Sequence, residues 1–102
     1  MVAENTTDAE KESKMEPTAW FAQALAYMRI QQWQEAEQAL RQALQRDPGY
    51  AEAHCNLGYV LEQRGYPDAA EEAYRHSLVL APSVLNAALN LGVMLQSQSR
   101  FD

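Results

Sequence analysis

Cysteine is nearly absent from the sequence, since Cys55 is the only one among 102 residues. A single thiol excludes an intrachain disulfide framework and a cysteine-based zinc site. Basic residues are also scarce, with 8 lysines and arginines against 14 acidic residues and a formal net charge of −6. Nucleic-acid grooves and proteins of anionic membrane surfaces depend on basic clusters, so we expect neither nucleic acid nor membrane as a partner.

Long hydrophobic runs are missing as well. No apolar stretch approaches the roughly 20 residues that a membrane-spanning helix needs. The first residues are polar and acidic, unlike the charged and then apolar pattern of a secretion signal. We therefore expect a cytoplasmic protein, and the length suits one small domain.

Residues 1–16 differ in composition from the rest of the chain. They contain five acidic residues and both lysines of the protein, with few bulky apolar side chains. Such a segment cannot bury enough surface to offset the entropy lost on ordering. We predict a disordered acidic tail over 1–16, followed by a folded domain over 17–102.

Apolar residues from Trp20 onward recur at intervals of three and four, which predicts amphipathic helices. Helices are expected over 53–64 and 69–80, with a turn over 65–68 between them. Asp47-Pro48-Gly49 is expected to end the preceding helix, because proline cannot donate to the helical hydrogen-bond ladder.

The same pattern repeats every 34 residues. Pro48 is followed at this interval by Pro82, and Asn56-Leu57-Gly58 returns as Asn90-Leu91-Gly92. A period of this length is typical of a helical repeat array.

This repeat resembles the tetratricopeptide repeat (TPR) family, in two whole copies over 17–50 and 51–84 and a partial copy over 85–102. The resemblance implies an all-α, right-handed superhelix of helix pairs, with Gly58 and Gly92 where the second helix of a pair approaches the first. The first copy departs from the family pattern at Ala24, where glycine is usual. The bulky residues that the resemblance assigns to the core are Trp20, Tyr27, Leu40, Tyr74 and Leu78.

The family resemblance also implies a function, which is to bind a protein or peptide in a concave groove lined by the first helices. Apolar groove residues would contact side chains of the ligand, and asparagines would pair with its backbone, since an amide both donates and accepts. The predicted peptide-binding residues are Phe21, Leu25, Asn56, Tyr59, Asn86 and Asn90.

Two alternatives share this fold. The Asn-Leu-Gly runs are similar to repeats of the O-linked N-acetylglucosamine transferase family, where asparagines hold extended substrate. The chain would then be the N-terminal, substrate-recruiting part of such a glycosyltransferase. A helix over 85–98 would also leave one face uncovered, so the chain is expected to be a fragment of a longer array. The other alternative is a self-associating scaffold that forms a homodimer through the groove or the C-terminal helix.

Catalysis finds little support in the sequence. His54, His76 and Cys55 form no recognisable nucleophile or metal motif, so we predict no catalytic residue, metal or cofactor. Glu37 and Glu71 are interpreted as solvated residues near helix starts, where a carboxylate favours the helix dipole.

Overall fold

The computed structural model describes residues 15–99, so the predicted tail lies outside the described residues apart from its last two positions. Within this range the chain forms five helices and no strand, which confirms the predicted all-α helical-repeat fold. The helices are α1 (Pro17–Arg29), α2 (Trp33–Arg46), α3 (Ala51–Gln63), α4 (Pro67–Leu80) and α5 (Leu85–Ser99).

Helix packing follows the order of the chain. The closest pairs are α1 with α2 and α3 with α4, which fall within the predicted copies 17–50 and 51–84. Helix α2 also packs on α3, and α5 packs on α4 and α3. Contacts of this nearest-neighbour kind define a solenoid, in which each unit is stabilised by the units beside it.

Proline sets two of the helix starts. Pro17 and Pro67 occupy the first turns of α1 and α4. Proline is favoured there because its missing N–H has no helical acceptor in any case and its φ angle already suits the helix. The expected start of α4 at residue 69 was therefore wrong, since the helix begins at Pro67.

The turns inside the two helix pairs share an unusual backbone geometry. Gly65 has φ +86° and Gln31, 34 residues earlier, has φ +60°. Glycine adopts this left-handed region without steric cost, whereas glutamine does not. The turn between pairs is held differently, by the Asp47 carboxylate accepting a hydrogen bond from the Gly49 backbone at 3.1 Å.

The core is built largely from alanines packed against a few bulky side chains. Trp20, Leu40 and Tyr74 are buried as predicted, and Tyr27 and Leu78 pack partly buried against them. The other buried apolar residues are Ala24, Ala36, Ala39, Ala43, Ala53, Cys55, Leu57, Val60, Leu61, Ala70, Ala73, Ala87, Leu91 and Met94.

The two equivalent glycines have different surroundings. A Cβ atom at Gly58 would lie 2.7 Å from ring atoms of Tyr74, so only glycine allows α4 to approach α3 this closely. A Cβ atom at Gly92 would have no described atom within 4 Å. The predicted role in helix approach is confirmed for Gly58, whereas residues 15–99 contain no helix after α5 that could test it at Gly92.

Candidate functional site

The first helices of successive repeats meet at a common cavity of about 260 Å³. Phe21 and Leu25 reach it from α1, Asn56 from α3 and Asn86 from α5. Four of the six predicted binding residues are thus brought together on one surface. The remaining lining residues are Glu52, Cys55 and Val84.

An aromatic stack forms one side of this surface. Phe21 lies against Tyr50 with ring centroids 5.0 Å apart and an angle of 29° between the planes. Tyr50 immediately precedes α3, so this contact joins α1 to the start of the next repeat. Phe21 is half-buried, and its exposed part remains available for an apolar ligand group.

Tyr59 and Asn90 do not line the cavity. Tyr59 is 38% exposed and packs edge-on against Trp33, with ring centroids 5.9 Å apart. Asn90 is half-buried and its side chain hydrogen-bonds the hydroxyl of Tyr74. An amide has two donors and an acceptor oxygen, so this one bond does not use the full hydrogen-bonding capacity of Asn90.

The cavity carries little charge, because Glu52 is the only ionisable side chain in its lining besides the thiol of Cys55. Cys55 is buried, and burial raises the pKa of its thiol, with a further increase from the nearby Glu52 carboxylate. A thiol with a raised pKa is a poor nucleophile at neutral pH. Cys55 therefore acts here as a small apolar side chain.

A second cavity, of about 280 Å³, is formed by α2, α3 and α4. His54 and His76 stack there with ring centroids 4.2 Å apart, and Arg41 and Glu72 also line it. Burial lowers the pKa of His54; the hydrogen bond between its Nε2 atom and the Pro48 carbonyl opposes this, and His76 lowers it further. Sequence reasoning missed this pair, because residues 22 apart give no local signal.

An ion-pair network links the two helix pairs. Arg64 donates to the Glu37 carboxylate at 2.6 Å, and Arg41 donates to the same carboxylate at 2.9 Å. Partial burial favours a higher pKa for Glu37, but the two arginines outweigh it and lower the pKa below its usual value. The interpretation of Glu37 as a solvated residue was therefore wrong, since its side chain is only 15% exposed.

Glu71 occupies the equivalent position in the second repeat. Among the described residues its ion pair lies within its own helix, where it accepts a hydrogen bond from Arg75 at 3.0 Å. Both members of this pair are more exposed than Glu37, so the two equivalent acids have different roles.

Residues 15–99 contain no group of three or more histidine, cysteine or acidic residues that could hold a metal ion. No helix in this range is both long and apolar enough to cross a membrane.

The chain is similar to known proteins in both sequence and structure. The tetratricopeptide repeat family matches residues 21–84. Two solved structures, each a crystal structure of MamA, superpose with TM-scores of 0.78 and 0.76 at 27% sequence identity. Each match covers 82% of this chain but only 49% and 46% of the MamA chains, so the chain spans about half their length. No curated protein matches the sequence.

Proposed function

Because the chain belongs to the tetratricopeptide repeat family, we propose that it is a non-enzymatic interaction module that holds a peptide or partner helix in its concave groove. Repeats of this family generally mediate protein–protein interaction. The observation that carries the proposal is the cavity in which Phe21, Leu25, Asn56 and Asn86 come together from three successive first helices.

The lining of this cavity indicates the chemistry of the ligand. Phe21 and Leu25 offer apolar contacts, and the half-buried amide of Asn56 can pair with a peptide bond of any sequence. Glu52 adds one negative charge, which favours a basic group in the ligand over an acidic one. The proposed ligand is therefore an apolar peptide segment with a nearby lysine, arginine or free amino group.

Asn56→Ala tests this proposal. A ligand is first selected from a random peptide display library, and its affinity is then measured by isothermal titration calorimetry. We expect the variant to bind about tenfold more weakly, because it loses hydrogen bonds to the peptide backbone. Its melting temperature should change by no more than about 2 °C, since Asn56 lies outside the buried core.

The matched control is Gln45→Ala, which truncates an exposed amide on α2 away from the cavity. It should leave the affinity unchanged. Equal affinities for the wild type and the Asn56 variant would contradict backbone recognition by the groove.

A more specific proposal is that the groove recruits substrate for a downstream glycosyltransferase of the O-linked N-acetylglucosamine type. Its support is the Asn-Leu-Gly run alone, which puts Asn56 and Asn90 at equivalent positions of α3 and α5. Acceptor peptides of such enzymes should then bind better than scrambled versions of the same composition. Indistinguishable affinities for the two sets would exclude this proposal.

Self-association through the groove or α5 is the competing proposal. It is supported by the exposed apolar side chains of Leu89 and Val93, which are 55% and 67% accessible. Light scattering over a range of concentrations distinguishes the two proposals. A monomer mass at every concentration would exclude the dimer. The groove would then bind a different molecule.

A further inference from the structure

The cavity that contains the two histidines is separate from the concave groove. It has a volume of about 280 Å³, and none of its lining residues lines the concave cavity. Helices α2 and α4 both pack on α3, and the cavity lies between α2 and α4 with α3 beneath it. These three helices span residues 33–80, so its walls come from the middle of the described chain. We call it the histidine cavity.

The floor of the histidine cavity is apolar. Leu57 and Leu61 of α3 and Ala73 of α4 are buried there. Leu44 of α2 is half-buried and packs against this core. Such a floor favours an apolar group of the ligand, because contact with it removes apolar area from water. One part of the ligand should therefore be a compact aliphatic or aromatic group.

Arg41 brings unused hydrogen-bond donors to the cavity. Its Nε atom donates to the Glu37 carboxylate at 2.9 Å, whereas its two terminal nitrogens have no partner among residues 15–99. The Arg41 side chain is 55% exposed, so these nitrogens are open to a ligand. A guanidinium group binds a carboxylate through two parallel hydrogen bonds. Arg41 therefore provides a site for the carboxylate of a ligand.

Glu72 supplies the opposite charge from the other wall of the cavity. It lies on α4, it is exposed, and no hydrogen bond or ion pair holds its carboxylate among the described residues. Arg41 forms its ion pair with Glu37 and not with Glu72. A ligand with a single charge would meet a like charge in this cavity, whichever its sign. A molecule with both charges has a partner for each.

The stacked histidines form the wall beside Glu72. His76 follows Glu72 by one helical turn on α4, and its ring lies 4.2 Å from that of His54, measured between centroids. The Nε2 atom of His54 lies 2.9 Å from the Pro48 carbonyl oxygen and must donate to it, because a carbonyl only accepts. This bond ties the stack to the backbone. The result is a fixed, flat wall for an apolar group.

The volume of the cavity limits the size of its ligand. Ligand pockets in proteins typically enclose about 300–1,000 Å³. The histidine cavity lies just below this range, so it suits a small molecule rather than a segment of a folded partner.

We propose that the histidine cavity binds a free α-amino acid with a branched aliphatic or aromatic side chain. The carboxylate of the amino acid pairs with Arg41, and its ammonium group pairs with Glu72. The side chain packs on the leucines of the floor and against the histidine stack. A residue inside a peptide chain has neither charge, so the site selects the free amino acid. This binding is independent of the concave groove.

The test is a titration of the full, isotope-labelled chain with L-leucine near neutral pH, followed by two-dimensional NMR. We expect saturable shifts in α2, α3 and α4 with a Kd of about 0.1–1 mM. Isocaproate keeps the side chain of leucine without the ammonium group, and isoamylamine keeps it without the carboxylate. Each should bind about tenfold more weakly or worse, because one charged residue then lacks its partner. L-alanine should also bind at least about tenfold more weakly, since it lacks most of the apolar group.

Variants of the full chain test the two charged residues. Arg41→Gln and Glu72→Gln should each weaken leucine binding by about tenfold. The matched controls are Arg75→Gln and Glu71→Gln, because this pair has the same i, i+4 spacing and does not line the cavity. Each control should change the affinity by less than about twofold. Glu72→Gln should also bind isocaproate more tightly than the wild type does, because it removes repulsion of the carboxylate. A loss of structure would not produce that gain.

Three results would overturn the proposal. One is the absence of saturable shifts at about 20 mM leucine. A second is equal affinity for leucine and isocaproate, which would indicate a site for simple anions. A third is a set of shifts confined to the concave cavity around Phe21 and Asn56, which would place the ligand there instead.

Discussion

At the scale of single residues, Gly58 and Gly92 allow a matched experiment. Gly58→Ala should destabilise the protein by about 1–3 kcal/mol, because the new methyl group would overlap the Tyr74 ring. Gly92→Ala should stabilise it by about 0.5–1 kcal/mol, because alanine loses less backbone entropy in an open helical position. Urea unfolding followed by circular dichroism measures both values. Shifts of the same sign would contradict the difference in their surroundings.

His54 gives the protein a pH dependence that can also be tested by one substitution. The pKa of His54 is lowered from 6.5 in the folded state, so the unfolded chain binds protons more readily. Above about pH 7, His54 therefore does not lower the free energy of unfolding. As the pH falls from the pKa of His54 in the unfolded chain towards its pKa in the folded protein, the free energy of unfolding decreases.

His54→Gln removes the titration while keeping a side-chain donor for the Pro48 carbonyl. The unfolding free energy of this variant should fall less than that of the wild type between about pH 7.5 and 5.5. His76→Gln is the companion variant, because it removes the neighbouring charge that contributes to the shift at His54. Parallel pH profiles for His54→Gln and the wild type would be inconsistent with a lowered pKa at His54.

The residues that sequence reasoning assigned correctly are those with a local or periodic signal. Trp20, Leu40 and Tyr74 follow helical spacing and are buried. The hydrogen bond between Asn90 and Tyr74 could not be predicted in this way, because it depends on how α5 lies across α4.

At the scale of helices, the ion pair between Arg64 and Glu37 should contribute more to the free energy of unfolding than an ion pair formed within one helix. It joins the end of α3 to α2, and the side chains of Arg64 and Glu37 are only 28% and 15% exposed. Arg64→Gln should reduce the unfolding free energy by about 1–2 kcal/mol, because Glu37 loses a partner where water is partly excluded.

Arg75→Gln is the control for this prediction. Arg75 is 56% exposed and pairs with Glu71 within one helix, so its loss should cost no more than about 0.5 kcal/mol. Chemical denaturation of both variants gives the comparison. A similar small effect for Arg64 would mean that the contact between repeats depends on apolar packing alone.

The sequence predicts which segments are helical better than it predicts where each helix begins. The 3.6-residue periodicity and the 34-residue repeat predict which segments are helical. The start of α4 at Pro67 and of α3 at Ala51 came earlier than expected, because the first turn of a helix has no apolar period to reveal it. The 34-residue repeat also explains why four of the predicted groove residues line one cavity. Tyr59 does not join them, because its ring packs against Trp33.

At the scale of the whole molecule, each helix of a solenoid packs only against nearby helices, so the stability should vary along the chain. Within residues 15–99, helix α3 packs against α2, α4 and α5, whereas α5 packs mainly against α4 and α3. We expect amide hydrogens of α5 to exchange with solvent faster than those of α3, as measured by mass spectrometry. Gly92→Ala should slow exchange in α5 selectively, and uniform protection across the five helices would contradict this prediction.

The positions of the two tryptophans determine what fluorescence can report. Trp20 lies in α1 and Trp33 begins α2, and the sequence contains no other tryptophan. Indole emission therefore reports on the first helix pair, while far-ultraviolet circular dichroism reports on all five helices. If the array melts from α5 inwards, the dichroism signal will fall before the emission changes. Two thermal curves recorded on one sample then indicate whether the chain unfolds as a single cooperative unit.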